Sequence, residues 1–377
     1  MGFAAGRVTF VRYRVSGDSP LPFGSDTLDQ IEAHVIGRHA TEAADGVSFG
    51  WSGGEHVLDT TLSLEKNILD DSLHLALRTD TDKIPSQLLQ AYTRIELDAR
   101  AAQNPSGRPS KAQREEAKEA ARIRAEAESA DGRFRRRRHD PILWDGQTNT
   151  LYAGTTSSAV LDRLVSLFRD TFGRTLEPVT AGTLAHQNQA SADTLPTPFL
   201  GDDLALNALA WSSDPNLPDF LGNELLVWLW HTLKNDGDTV RLVDGTDLTV
   251  MLTKTLTLDC PRGENGRDRL SDIGPTRLPE AFKALQLGKL PRQAGISFER
   301  QGQLYEFTLQ AESLAISGLS LPKAEGAFGR ELKIARIEGL RHFVESFDLL
   351  FQSFFERRLG THWPNDLGRI RAWLTAA

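Results

Sequence analysis

The chain has 377 residues, of which 40% are hydrophobic and 25% are charged. This composition is ordinary for a folded globular protein and excludes a collagen-like or wholly disordered chain. At roughly 150 residues per domain, the length predicts two to three domains. Lysine and arginine together number 43 against 51 aspartates and glutamates, which gives a formal net charge of -8. Averaged over the chain, that charge argues against a nucleic-acid partner, because phosphate contacts need basic residues.

The cysteine content and the first residues indicate the compartment. Cys260 is the only cysteine in the sequence, which excludes an internal disulfide and fits a reducing compartment. The first residues lack the basic and apolar regions of a signal peptide, and no uninterrupted apolar run is long enough to span a bilayer. We therefore expect a cytoplasmic protein that has no membrane partner.

The first eighty residues predict strands and one short helix. Residues 7–15 alternate basic and apolar side chains, which is typical of a half-buried strand. The spacing of Leu28, Ile31 and Val35 predicts a helix over residues 26–38. Further strands are predicted at residues 49–51, 57–64 and 73–78. This pattern indicates a mixed α+β body.

Residues 83–138 are predicted to form a helical arm that projects from this body. The breaker-rich segment 104–109 separates two helical stretches. The second stretch begins at Ser110, and Gln113 stands where it can complete a capping box. From there to about Ser129, nearly every residue is a strong helix former with a small or charged side chain. Because a helix with so little apolar surface cannot lie in a core, we expect two projecting helices joined at 104–109.

The sheet pattern returns after the arm. Residues 141–145 and 150–153 flank a Gly-Gln-Thr-Asn turn and predict a hairpin. An amphipathic helix is predicted over residues 157–172, and Gly173 should end it. Residues 181–200 are rich in Ala, Thr, Gln and Pro and predict a loop or linker.

The second half is predicted to combine buried helices with hairpins. An almost wholly apolar helix is expected from Asp219 to Leu233, and a long amphipathic helix from Glu331 to Arg358. Asp244-Gly245-Thr246 marks a hairpin turn, and residues 295–298 and 303–309 predict a second hairpin.

Together these elements predict an α+β fold, in which a mixed sheet-and-helix body carries a projecting two-helix arm and the chain forms several domains. The expected parts are an N-terminal body (1–82 and 139–180), the arm with its basic run (83–138), a linker (181–200), a C-terminal α+β domain (201–330) and a C-terminal helical segment (331–377).

The most unusual segment is the run Arg133-Phe134-Arg135-Arg136-Arg137-Arg138, which holds five arginines and one aromatic residue. Across residues 108–138, eleven basic and six acidic residues give a net charge of +5, which leaves the rest of the chain at -13. Crowded arginines repel one another unless an anion compensates them, and arginine binds phosphate bidentately. We therefore predict that this run contacts DNA phosphates through Arg133, Arg135, Arg136, Arg137 and Arg138, with Phe134 among them.

A second tier of DNA contacts is predicted on the arm's second helix, at Lys111, Arg114, Lys118 and Arg122. The last three form one stripe because they are four residues apart. Two other interpretations stay open. The helix could simply be solvated, with the internal ion pairs Lys111–Glu115, Arg122–Glu126 and Arg124–Glu128. The arginine run could also anchor the acidic body or dock an acidic partner protein, which would make the chain a scaffold.

No catalytic residue, metal ligand or cofactor is predicted. The phosphate-binding loop and the dinucleotide fingerprint are absent from the sequence. Neighbouring carboxylates could hold a divalent metal as nucleases do, although such pairs are more often solvated turn residues. These pairs are Asp70-Asp71, Asp80/Asp82 and Asp202-Asp203. A metal-dependent exonuclease acting on DNA is therefore kept as an alternative function.

The order of features over residues 7–180 resembles the recombination-associated protein RdgC family. An N-terminal Val-Arg-Tyr-Arg strand, Phe49-Gly50-Trp51 and Lys83-Ile84-Pro85-Ser86 are followed by a long charged helix, a basic and aromatic run, and Leu143-Trp144-Asp145 in a hairpin. The order and spacing carry the resemblance, since no single motif is very specific. Residues 220–230 do not match the enterobacterial type and resemble divergent, longer members.

The resemblance implies a ring-shaped homodimer that encircles duplex DNA without sequence preference. It also implies a nucleoid-associated protein that modulates homologous recombination by limiting the access of a RecA-type recombinase to DNA. By position, the helices of the arm would help to close the ring, and the basic run would face its hole.

Overall fold

The structure is a computed structural model that describes residues 2–37, 41–42, 46–190, 219–260 and 266–375. These residues contain ten α-helices and fourteen strands, which confirms the α+β class. None of the helices among them is long and apolar enough to cross a membrane. The chain divides into two compact units. The larger unit comprises Met1–Gly24, Glu65–His74 and Pro141–Ala377, and the smaller unit comprises Ser25–Leu64 and Leu75–Asp140.

Strands and helices are interspersed along the whole chain. The strands are β1 (Val8–Val15), β2 (Thr41–Glu42), β3 (Val47–Ser52), β4 (Ile68–Leu69), β5 (Ser72–Asp82), β6 (Arg135–Asp145), β7 (Thr150–Ala153), β8 (Leu176–Pro178), β9 (Thr239–Arg241), β10 (Asp247–Asp259), β11 (Asp268–Asp272), β12 (Leu290–Arg300), β13 (Gln303–Gln310) and β14 (Ile316–Ser320). The helices are α1 (Ser25–Glu32), α2 (Leu64–Asn67), α3 (Ser86–Ala102), α4 (Lys111–Ser129), α5 (Ser158–Phe172), α6 (Ala181–Ala190), α7 (Leu221–Asn235), α8 (Pro279–Gln286), α9 (Gly329–Leu359) and α10 (Trp363–Thr375).

The larger unit is built on an antiparallel sheet. Its strands lie in the order β11-β10-β12-β13-β14-β1-β7, followed by the second half of β6. Helices α7 and α9 pack against this sheet in one hydrophobic core. Phe343 of α9 stacks on Phe298 of β12 with ring centroids 5.5 Å apart, and Phe307 of β13 meets Phe343 edge-on at 4.9 Å. Each such pair stabilises the fold by about 0.5–1.5 kcal/mol beyond the burial of its area.

The elements predicted for the second half are confirmed. Every residue of α7 from Leu221 to His231 is buried, as its apolar sequence requires. The helix α9 buries one apolar stripe, which includes Leu340, Phe347 and Phe354. Both hairpins form, because β9 pairs with β10 and β12 pairs with β13. Gly245 in the first turn has a φ of 81°, a backbone conformation that glycine adopts at no steric cost.

In the smaller unit, β3 pairs with β5 on one side and with β2 on the other. Residues 34–36 also run beside β3, since Trp51 N–H donates to His34 O and Ile36 N–H donates to Trp51 O, both at 3.0 Å. This close approach explains Gly50, because a Cβ there would lie 2.8 Å from Ile36 N. The predicted helix over residues 26–38 is shorter than expected and ends at Glu32.

Helices α3 and α4 confirm the predicted helical pair joined by residues 104–109. The Ser110 side chain accepts from Gln113 N–H while the Gln113 side chain accepts from Ser110 N–H, which is the expected capping box. The buried residues of α4 are three alanines four positions apart, Ala117, Ala121 and Ala125. Small side chains let two helices pack closely, so this seam replaces the large apolar residues that the sequence lacks.

Two predicted elements are wrong. Residues 57–64 form no strand but a loop that leads into α2, because the buried Asp59 carboxylate accepts hydrogen bonds from Glu55 N–H and Thr61 N–H, both at 3.2 Å. Residues 181–190 form helix α6 rather than a loop, since Ala181, Leu184 and Ala185 pack into the core of the larger unit. The rest of the predicted linker, residues 191–200, lies outside the described residues.

Candidate nucleic-acid interface

The arginine run forms the beginning of β6 rather than a loop that precedes the sheet. Gly132, with a φ of 75°, turns the chain after α4, and β6 begins at Arg135. Successive side chains of a strand point to opposite faces. Arg135 and Arg137 therefore lie on one face of β6, and Arg136 and Arg138 lie on the other. All four are exposed, whereas the strand becomes buried towards Asp145.

On the first face, the arginines meet carboxylates of β5. Arg135 donates from Nε and Nη2 to Asp82, the shortest distance being 2.8 Å. Arg137 Nε lies 3.6 Å from Asp80 Oδ2. Asp80 is also held by two hydrogen bonds from Arg78, at 2.6 and 2.7 Å. The hydrogen bonds from Arg135 lower the pKa of Asp82, so this carboxylate stays ionised and paired at neutral pH.

On the second face, Arg138 is paired and Arg136 is open. Arg138 donates from Nε and Nη2 to Asp140 Oδ1, at 3.1 and 2.6 Å. Asp140 is only 3% exposed, and its Oδ2 has no hydrogen-bond partner among the described residues. Arg136 is exposed, and its guanidinium makes no ion pair with the part of the chain that the structure describes.

Arg133 is held at the end of α4. Its Nη1 donates to Glu128 and its Nη2 donates to Asp131, both at 2.7 Å. The hydrogen bonds from Arg133 lower the pKa of Asp131. Glu128 also accepts a hydrogen bond from the hydroxyl of Tyr92, which is the larger cause of its own lowered pKa. Phe134 is half-buried between the exposed arginines.

The residues of the predicted second tier all lie on α4, and they differ in the contacts that they make. Lys118 pairs with Glu115 at 2.9 Å, and Arg122 pairs with Glu119 at 2.6 Å and Glu126 at 2.7 Å. Arg114 Nε donates to Pro109 O at 3.3 Å. Lys111 makes no ion pair among the described residues. Of the three internal pairs that the solvated-helix interpretation named, Arg122–Glu126 is present. Lys111–Glu115 is not formed, and Arg124 lies over the Tyr92 ring, 4.2 Å from its centroid, instead of pairing with Glu128.

Carboxylates of the chain itself compensate most of the charge of the arginine run. Five crowded arginines need compensating anions, and the chain itself supplies them at four of the five. Each pair nevertheless leaves the arginine side chain 40–59% exposed. A guanidinium has five N–H donors, and Arg135 donates to Asp82 through Nε and Nη2. The surface is therefore a set of oriented, half-exposed guanidiniums rather than a bare cluster of charge.

The carboxylate partners of the run were missed at the sequence level. Asp80 and Asp82 were considered there only as metal ligands. The spacing of Arg78, Asp80 and Asp82 at every second residue was the available signal, because it places all three on one face of a strand that continues to residue 82. The predicted strand ended at Arg78, which left both aspartates in a loop.

The metal-site alternative gains nothing from the geometry. Among the described residues, no group of three or more His, Cys, Asp or Glu side chains could hold a metal ion. Asp80 and Asp82 are engaged by arginines, and Asp71 accepts a hydrogen bond from Gln147 at 2.9 Å. Asp202-Asp203 lies outside the described residues.

Searches of protein-family models and of curated proteins find no match to this chain.

Proposed function

We propose that this chain is a non-enzymatic protein that binds duplex DNA without sequence preference, as the resemblance to the RdgC family implies. The observation that carries the proposal is the exposed beginning of β6, where four consecutive arginines project from both faces of one strand. Phosphate contacts made by arginine carry no sequence information directly. A surface that offers guanidiniums and few other groups should therefore bind all duplexes alike.

The carboxylates beneath the run fit this role because they orient the guanidiniums without covering them. Arg135 is fixed by Asp82 on one face and Arg138 by Asp140 on the other. A phosphate approaching from solvent meets donors whose side-chain entropy is already reduced by these pairs. The same carboxylates repel the phosphate, so the net affinity should be moderate and strongly dependent on salt.

The alternation of the strand limits how many arginines can act together. A single duplex surface that lies against one face of β6 reaches two of the four strand arginines, with Arg133 nearby in sequence. We therefore expect two to three phosphate contacts from the run, not five. Lys111, Arg114, Lys118 and Arg122 would add contacts from α4, at the cost of breaking the pairs that Lys118 and Arg122 make.

The resemblance extends the proposal to assembly and biological role. We propose a homodimer that encircles duplex DNA and limits the access of a RecA-type recombinase, with the protein associated with the nucleoid. This part rests on the order of sequence features over residues 7–180 alone. Light scattering of the purified chain tests the dimer directly, and a mass of one chain at micromolar concentration would contradict it.

A salt titration of DNA binding tests the central proposal. Fluorescence anisotropy on two unrelated 30-base-pair duplexes should give equal affinities and a steep loss of binding with salt. Replacing Arg135, Arg136 and Arg137 together by alanine should reduce the slope of log K against log salt by about 2, at about 0.9 for each lost phosphate contact. A flat salt response of the unmodified protein, or no binding at low salt, would refute the proposal.

A matched control removes the same charge elsewhere. Arg241, Arg267 and Arg369 are exposed, and each pairs with an aspartate in the larger unit. Their triple alanine variant should leave both affinity and salt slope unchanged. Incubation of labelled duplex with Mg²⁺ or Mn²⁺ should yield no cleavage products, and products that disappear with chelator would establish the nuclease alternative instead.

A further inference from the structure

An edge of the sheet in the larger unit is interrupted by a cavity. On the edge away from β12, β10 pairs with β9 at Thr249 and with β11 from Lys254 onwards. On that same edge, residues 250–253 lie between β9 and β11 and pair with no strand in the described part of the chain. A cavity of about 730 Å³ opens at this gap, a size within the range of small-molecule sites.

The floor of the cavity is apolar and aromatic. Trp230 and Leu233 of α7 line it, together with Leu278 and Phe282 at the beginning of α8. These aromatic rings are fixed by a cluster behind them, since Trp373 lies 5.7 Å from Trp230 and 5.5 Å from Phe282 between ring centroids. A ligand would therefore meet a Phe282 ring that is already packed, which lowers the entropy cost of binding.

The rim of the cavity exposes apolar side chains to solvent. Ile273 is 90% exposed and Met251 is 54% exposed, and both line the opening. Exposed apolar surface that is continuous with an apolar cavity is typical of a binding site. Methionine at such a rim can adapt its flexible side chain to ligands of different shapes.

Two cations, Lys234 and Arg277, line the same opening. The Lys234 ammonium lies 4.5 Å from the centroid of the Phe282 ring. The Arg277 side chain folds back over Gly274, where a Cβ would come within 3.2 Å of Arg277 Cδ. Neither cation makes an ion pair among the residues that the structure describes. Among the described residues of the lining, Asp238 is the one carboxylate beside these two cations, so their summed charge is positive.

We propose that this cavity binds an amphipathic organic monocarboxylate. The apolar body of the ligand lies on the half-buried Leu233, Leu278 and Phe282. Its carboxylate lies between Lys234 and Arg277. The aromatic floor contributes area and shape, whereas the two cations select a negative headgroup over a neutral one. This site is independent of the DNA-binding surface, which lies on residues of the smaller unit.

The first experiment measures binding of the fluorescent anion 8-anilinonaphthalene-1-sulfonate and its displacement by decanoate and by decanol. The unmodified chain should bind the dye at one site, and decanoate should displace it at least tenfold more effectively than decanol. The double variant Lys234→Gln/Arg277→Gln should lose about tenfold in decanoate affinity while decanol is unaffected. Equal displacement by decanol and decanoate would overturn the assignment of the headgroup site.

Two further variants locate the site. Lys283→Gln/Arg269→Gln removes the same charge from exposed neighbours that do not line the cavity, and it should bind decanoate normally. Thr276→Trp fills the opening and should abolish dye binding while thermal unfolding stays cooperative. Unchanged dye binding in Thr276→Trp, or an equal loss in the control variant, would overturn the proposal. A change of oligomeric state in the double variant would show a protein interface instead and would overturn it as well.

Discussion

Replacing Asp82 by asparagine should strengthen the binding of duplex DNA. In the native protein Asp82 accepts hydrogen bonds from Nε and Nη2 of Arg135, at 2.8 to 3.3 Å. The Asp82 and Arg135 side chains are 40% and 42% exposed. Asparagine keeps the shape and one acceptor but removes the negative charge. A phosphate that contacts Arg135 then no longer competes with a carboxylate.

The expected magnitude follows from the charge that is removed. Two unit charges about 6 Å apart in water repel by about 0.7 kcal/mol, which corresponds to roughly a threefold gain in affinity. If Arg135 becomes fully available to phosphate, the salt slope should also steepen by up to about 0.9. The stability cost should stay below about 1 kcal/mol, because an exposed ion pair contributes little.

Anisotropy titrations at four salt concentrations measure both quantities on the same duplex. The matched control is Asp247→Asn, which removes the partner of Arg241 in an exposed pair of the larger unit and should leave DNA binding unchanged. Weaker binding by Asp82→Asn would show that the carboxylate acts mainly by orienting Arg135. An equal gain in DNA affinity for Asp247→Asn would show that the effect of Asp82→Asn comes from net charge alone.

Two further predictions concern stability. Gly222→Ala should destabilise the fold by about 3 kcal/mol, because a Cβ there would lie 1.8 Å from Ala311 O. At Gly368 on α10, an added Cβ meets nothing within 4 Å, so Gly368→Ala should be neutral or stabilising by up to about 1 kcal/mol. Urea unfolding measures the stability of both variants. Equal effects would contradict the close packing of Gly222 on Ala311. Burial lowers the pKa of His342, with the charge of Arg300 as a smaller cause. Just below pH 6.5 the unfolded state therefore binds more protons than the folded state. The free energy of unfolding should fall as the pH drops through that region. His342→Gln should reduce that fall in urea midpoint between pH 7.5 and 5.5, and an undiminished pH dependence would count against it.

The parts of the fold that the sequence predicted are those where local pattern and burial agree. Helix α7 is mostly apolar, and every residue from Leu221 to His231 is buried. The β6–β7 hairpin follows from the turn residues between two apolar runs, and its register pairs Asp145 with Thr150. The loop at residues 57–64 failed because a buried polar side chain, Asp59, organises it. Nothing in the alternation of neighbouring side chains reveals that one carboxylate will accept two backbone hydrogen bonds.

The sequence showed the arginine run but not the carboxylates that pair with it in the structure. The arginine run is visible in any window of the sequence, whereas its partners come from three separate segments. Asp82 is 53 residues from Arg135, and only the arrangement of strands brings them together. The alanine seam of α4 was similarly hidden, because alanine is read as a helix former before it is read as a packing residue.

The net charge of -8 therefore says little about DNA binding. The net charge of residues 108–138 is also a weak guide, because it ignores the carboxylates that pair with their arginines. Residues 108–138 carry +5, yet Asp80, Asp82 and Asp140 neutralise arginines of that segment from outside it or at its edge. What decides whether phosphate binds is the exchange free energy, the difference between an arginine–phosphate contact and the arginine–carboxylate pair it replaces. Surface pairs cost about 0–1 kcal/mol to break, so that exchange is affordable at low salt and readily reversed as salt rises. If the proposed function holds, a surface built from such exchangeable ion pairs should bind DNA reversibly, with Arg135 and Arg137 on one face of β6 as its contacts.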